Sequence, residues 1–177
     1  MSLSTLSKII SGLICVLGLF CTAHAQPKVV AQSDYGFITE NTVTIDANAN
    51  QVWKTLIEDV DTWWPKDHSW WGKEGTFSIN PVAGGCFCEI SGERSAEHLR
   101  VVFVNPAKTL VMTGGLGPLQ GMGLTGALTF ELNEEKDATI VTMTYRVHGY
   151  HPDGYTQLAP VVAQVQGLQL QGLADAF

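Results

Sequence analysis

Residues 61–72 read DTWWPKDHSWWG and hold four of the chain's five tryptophans. Gathered among them are Pro65, Lys66, Asp67 and His68. An imidazole changes charge near neutral pH, so it can move a proton or hold a hydrogen bond to a ligand. Indole rings supply broad apolar contact with a single N–H handle. Together these residue types suit recognition of an apolar or aromatic molecule beside one acid–base group. Trp63 and Trp64 follow a helical stretch that Pro65 stops, and they either seal the interior or line a site. Trp70 and Trp71 are adjacent on an irregular segment and cannot easily both point inward. At least one is expected at an opening or a partner surface.

Other candidates for chemistry are scattered. Glu89 alternates to the face of Phe87, opposite Cys86, Cys88 and Ile90. On a cavity face its carboxyl would be desolvated, its pKa raised, and it could serve as a general acid or base. Cys86 and Cys88 stand two apart on a strand, with Cα atoms near the upper limit for a disulfide, and read as small core residues. No C-x-x-C or H-x-x-x-H pattern completes a metal site, so no metal is expected. His98 and His148 share strand faces with Arg100 and Arg146, which predicts solvent exposure, and His151 lies in a turn. The glycine-rich run GGLGPLQGMGL (114–124) lacks a P-loop lysine and leads into a strand, so it is not a phosphate cradle. Its Leu116, Leu119, Met122 and Leu124 suggest an adaptable lip. No Ser–His–Asp or Cys–His arrangement and no cofactor motif is present.

The elements that must position these residues are legible in periodicity. A strand is predicted over 37–47, then a helix capped by Asp46 or Asn48 whose stripe is Val52, Trp53, Leu56, Ile57 and Val60. Beyond the tryptophan segment, strands are expected over 76–80, 86–91, 98–105, 108–114, 125–134 and 138–150. Strict alternation turns Leu99, Val101 and Phe103 inward on one strand, and Val141, Met143, Tyr145 and Val147 on the last. The segment 156–176 reads as a helix through Leu158, Val162, Val165 and Leu168. A sheet of about seven strands has an apolar face to cover, and the terminal helix is long enough to do so. The class is α+β.

Formal net charge is −7, with no lysine- or arginine-rich run. That argues against nucleic acid or an anionic membrane surface as partner. Lys8 precedes the apolar run IISGLICVLGLFC and the sequence Thr22-Ala23-His24-Ala25, the pattern of a secretory signal cleaved after Ala25. The run is too short to span a bilayer comfortably. The expected organisation is a signal peptide over 1–25, a flexible segment over 26–34 and one domain over 35–177, periplasmic or secreted, with no membrane span after cleavage.

The chain resembles the START-like superfamily, also called SRPBCC or helix-grip. The stretches that carry the likeness are VWKTLIEDVDTWWP, PVAGGCFCE, RVVFVNPAKTLVMTGGLGPLQ and the helix after YRVHGY. Within that group it looks similar to polyketide-cyclase-like and heat-shock-ATPase-activator-like bacterial members. The resemblance implies a curved antiparallel sheet gripping the last helix, with a cavity between them for a small hydrophobic ligand. The residues expected around such a ligand are Trp64, His68, Trp70, Trp71, Phe103, Met112, Leu116, Leu119, Met122, Met143 and Tyr145. An enzyme of cyclase or dehydratase type would draw on His68, Glu89 or Tyr145, and a protein-interaction module is the third option. Gly167 and Gly172 make the terminal helix look shorter and less rigid than that role requires.

Overall fold

The computed structural model describes residues 25–177. All but the last residue of the expected signal peptide therefore lies outside the described residues. Strands β1 (Lys28–Ser33) and β2 (Gly36–Ile45) lead into helices α1 (Ala49–Glu58) and α2 (Val60–Trp63). Two 3₁₀ turns, Lys66–His68 and Gly72–Glu74, carry the chain to β3 (Thr76–Ile79), β4 (Cys86–Ser91), β5 (Arg94–Asn105) and β6 (Thr109–Gly114). A one-turn helix, α3 (Pro118–Gly121), precedes β7 (Thr125–Glu135) and β8 (Ala138–His148), and α4 (Leu158–Ala174) ends the fold. The strands form one antiparallel sheet in the order β1-β2-β8-β7-β6-β5-β4-β3. Among the described residues there are eight strands where about seven were expected. The extra one, β1, occupies the segment read as flexible and pairs with β2.

Local sequence explains the first turn of α1. Asn48 accepts from the Gln51 N–H at 3.0 Å, and the Gln51 side chain accepts from the Asn48 N–H at 3.3 Å, a reciprocal cap. Val52, Leu56 and Ile57 then bury one face, with Trp53 only partly buried against the same core. On the sheet, Leu128, Phe130, Val141, Met143 and Tyr145 are buried at alternate positions as expected.

Alternation fails in β5, and the failure matters. Phe87 pairs with Leu99 while Cys88 pairs with Glu97, so His98 is an inserted residue. Val101 pairs with Met112 while Phe103 pairs with Val111, so Val102 is a second insertion. Each bulge reverses the facing of the residues beyond it. His98 and Leu99 are consecutive buried residues, whereas Val102 and Phe103 are both exposed. His98, expected in solvent, is 5% exposed; Phe103, expected inside, is 51% exposed.

The glycines of α4 do not loosen it. A Cβ on Gly172 would strike the Trp63 carbonyl oxygen, and one on Gly167 would lie 3.1 Å from Asn41 Oδ1. Both positions let the helix backbone approach its neighbours closely. Ala159, Ala163, Gly167 and Leu170 bury one face, and Leu168, expected on the apolar stripe, is exposed.

Candidate functional site

Three segments meet beside α4: the tryptophan loop, the β6–β7 connection and the inner face of the sheet. They enclose a cavity of about 450 Å³. The loop is held from below by charge and hydrogen bonds. Lys66 Nζ reaches Asp61 at 2.5 Å and the Gly75 carbonyl at 2.7 Å, and Asp61 also accepts the Phe77 N–H at 2.7 Å. Burial alone would raise the Asp61 carboxyl, but these partners hold it below its ordinary value. On the far side, Tyr145 donates its hydroxyl to the Gly114 carbonyl at 2.6 Å and accepts the Leu116 N–H at 2.9 Å. That pins the lip formed by Leu116, Leu119 and Met122.

Trp64, His68, Trp70, Leu116, Leu119, Met122 and Tyr145 all line the cavity. Trp70 and Met122 are about half exposed and stand at its mouth. Four of the expected ligand residues lie elsewhere. Met112 and Met143 are packed in the core, because the sheet interior beneath them is filled. Phe103 is on the outer face, carried there by the second bulge of β5. Trp71 stacks its ring against the Arg94 guanidinium at 5.4 Å. The Trp63 N–H donates to the Thr55 carbonyl at 3.1 Å and its ring seals the interior, while the buried Trp64 N–H has no partner among the described residues.

The least expected feature is a buried acid–base pair. Glu89 is on the inner face, fully buried, one layer behind the cavity wall. Its Oε1 accepts from the Ser69 hydroxyl and from the Trp71 N–H at 3.3 Å. Its Oε2 accepts from the Trp70 N–H at 3.1 Å and contacts His98 Nε2 at 3.0 Å. Gly75 makes the room, since a Cβ there would overlap Oε1. Burial by itself would raise this carboxyl. The donors from Ser69, Trp70, His98 and Trp71 outweigh burial and hold it below its ordinary value. The raised pKa expected for Glu89 is thus reversed. His98 lines the cavity and packs in a three-ring cluster with Phe87 and Phe77, its centroid 5.2 and 5.6 Å from theirs. Burial pushes its pKa down, and the Glu89 carboxylate only partly offsets that.

Tyr145 is similarly unsuited to proton donation. Its hydroxyl hydrogen is committed to Gly114, and burial raises its pKa to about 12. From α4, the cavity gains Leu158, Val161, Val162, Val165, Gln166 and Gln169. The two glutamines are almost fully buried. Thr39 holds Gln166 Oε1 at 2.6 Å, while Gln166 Nε2 and Gln169 Oε1 have no partner among the described residues. A signal for them was available: an apolar helix with glutamine at 164, 166, 169 and 171 is unusual, and buried amides need partners. No such signal existed for His98, because nothing in HLRVVFVN marks the bulge.

Behind the pair, on the outer face of β4, Cys86 and Cys88 form a disulfide with Cα atoms 5.4 Å apart. They are partly exposed rather than core residues. The Cα separation is that of an ordinary bridge, well inside the limit that full extension would approach. Among the described residues, no group of three or more metal-ligating side chains comes together.

No family model matches the chain, and no curated protein does. Solved structures do match. A conserved protein of unknown function from Enterococcus faecalis aligns at a TM-score of 0.58 and 13% identity, over 87% of this chain and 75% of that one. The Aha1 dimer from Colwellia psychrerythraea aligns at 0.54 and 19% identity, over 77% and 92%. CalU16 from Micromonospora echinospora aligns at 0.54 and 14% identity, over 86% and 79%. The likeness is one of fold. What is shared is a curved antiparallel sheet with a long C-terminal helix against it.

Proposed function

We propose that this domain binds a small apolar or aromatic molecule in the cavity between the sheet and α4. The observation that carries the reading is the cavity of about 450 Å³, walled mainly by Trp64, Leu116, Leu119, Val162 and Val165 and opening past Trp70 and Met122. That size and lining are typical of small-molecule sites. Rings and a flexible thioether at the mouth adapt to varied ligand shapes. Mass spectrometry of the purified protein under native conditions, with titration of a fluorescent apolar probe, tests it. Failure to retain any small molecule together with failure to take up the probe refutes it.

We also propose that the domain works outside the cytoplasm after loss of residues 1–25. The sequence pattern around Ala25 supports this, and a Cys86–Cys88 disulfide is at home in an oxidising compartment. The intact mass of the chain recovered from envelope and medium fractions tests cleavage. A second reading, an enzyme of cyclase or dehydratase type, draws support from the buried Glu89–His98 pair at the wall. It requires that His98→Gln abolish turnover of a bound ligand.

A further inference from the structure

The Glu89 carboxylate fixes the protonation of His98 by hydrogen-bond accounting. Each of its oxygens faces a main-chain N–H, that of Trp71 at Oε1 and that of Trp70 at Oε2, and such groups can only donate. A protonated carboxyl could aim its O–H only at His98 or Ser69, and the donors gathered on the two oxygens favour the carboxylate over that form and hold its pKa below the ordinary value. With Glu89 ionised, the hydrogen shared with His98 sits on Nε2. A neutral imidazole with Nε2–H carries a bare lone pair on Nδ1. That atom has no hydrogen-bond partner among the described residues, and His98 is part of the cavity wall. His98 thus brings to the cavity wall an imidazole whose second nitrogen is a free acceptor, its tautomer held by a buried partner.

The rest of the wall restricts what can meet it. Among the described residues no lysine or arginine lines the cavity, and Asp67 adds a carboxylate near the mouth. A carboxylate or phosphate ligand would find neutral donors such as the Trp64 N–H and Gln166 Nε2 but no cation to offset its charge, and it would lie toward Glu89 behind the imidazole. We infer that the cavity takes a neutral apolar molecule bearing a hydroxyl, a phenol or alcohol, and that His98 Nδ1 accepts its hydrogen. This rests on the ligand-binding reading above and narrows it to a class.

The test compares 2-naphthol, 2-methoxynaphthalene and 2-naphthoate by calorimetry on the whole protein. One buried hydrogen bond gained, against an acceptor left unpaired, is worth about tenfold in affinity. 2-Naphthol is expected to bind about tenfold more tightly than its methyl ether, and 2-naphthoate more weakly than either. His98→Phe keeps the ring and removes the lone pair, so it should bind the ether and lose the preference. Where that variant does not fold, the wild-type pH series decides. Around His98 stand Glu89 from β4, Asp67 and His68 from the loop and Tyr145 from β8, with Lys66 over the far ring Phe77; α4 offers only uncharged side chains. Burial lowers the His98 pKa from about 6.5, so the preference should hold at neutral pH and vanish only when acid protonates Nδ1. Equal affinity for naphthol and ether, tight naphthoate binding, or a preference that survives protonation overturns the inference and leaves the apolar site standing. Failure of all three probes to bind overturns both.

Discussion

Replacing Glu89 by glutamine turns one carboxylate oxygen into an NH₂ group with almost no change of shape. Whichever oxygen is replaced, the amide then confronts a backbone donor that cannot turn round, Trp71 N–H on one side or Trp70 N–H on the other. One buried N–H stays unpaired, which costs about 1–3 kcal/mol. The bonds that remain lose the extra strength of an ionised acceptor, roughly 1 kcal/mol more. A neutral side chain escapes the desolvation of a charge, but the lowered pKa of Glu89 shows that its donors already outweigh that penalty. The net expectation is a loss of about 3 kcal/mol, a fall in Tm of roughly 6–12 °C for a domain this size. Because the folded pKa lies below the ordinary 4.5, this stabilisation is fully present above that pH and is lost as pH falls through the folded value. Urea unfolding at neutral pH and along an acid series reads both effects. Wild type should show an acid-labile component that Glu89→Gln lacks. A loss under about 0.5 kcal/mol with an unchanged acid limb refutes the reasoning, since surface substitutions alone give that much.

Other substitutions probe the frame around the site. Tyr145→Phe leaves the Leu116 N–H and the Gly114 carbonyl without their partner, so about 1–3 kcal/mol should be lost and amide exchange at Leu116 should quicken. Gly172→Ala drives a methyl into the Trp63 carbonyl and should cost about 1–3 kcal/mol by thermal melting, although alanine is the better helix former. Cys86→Ser with Cys88→Ser opens a ring of only three residues, for which chain entropy offers about 1–2 kcal/mol, so the domain should remain folded under reducing conditions.

The elements of this fold were legible because their signals are local. Asn48 and Gln51 cap a helix whatever lies beyond it, and the alternation of TIVTMTYRV survives in β8 because that strand pairs on both sides without interruption. The tryptophan loop was legible in part for a similar reason: Pro65 stops the helix and rings on an irregular segment must find a surface, but only Trp70 of the second pair finds the cavity, and Trp71 turns to Arg94 instead. β1 escaped notice because KVVAQS is short and mostly exposed, and only its pairing with β2 makes it a strand.

The core of the candidate site belongs to the tertiary structure. Sequence alone determined that a glutamate stood beside Phe87 on one face of a strand, and it placed His98 at the start of another that the structure begins at Arg94. It carried no information on the two bulges of β5, because a bulge arises from how two strands register against each other. One inserted residue carried His98 from solvent to the cavity wall, and the next carried Phe103 from the interior to solvent. The sign of the Glu89 shift was decided in the same way. Burial could be anticipated from an apolar strand face, but the donors that reverse its effect come from residues 69, 70 and 71, some twenty positions away, and from across the bulge. Periodicity reports which way a side chain points within its own strand; only packing supplies the partners that fix its charge.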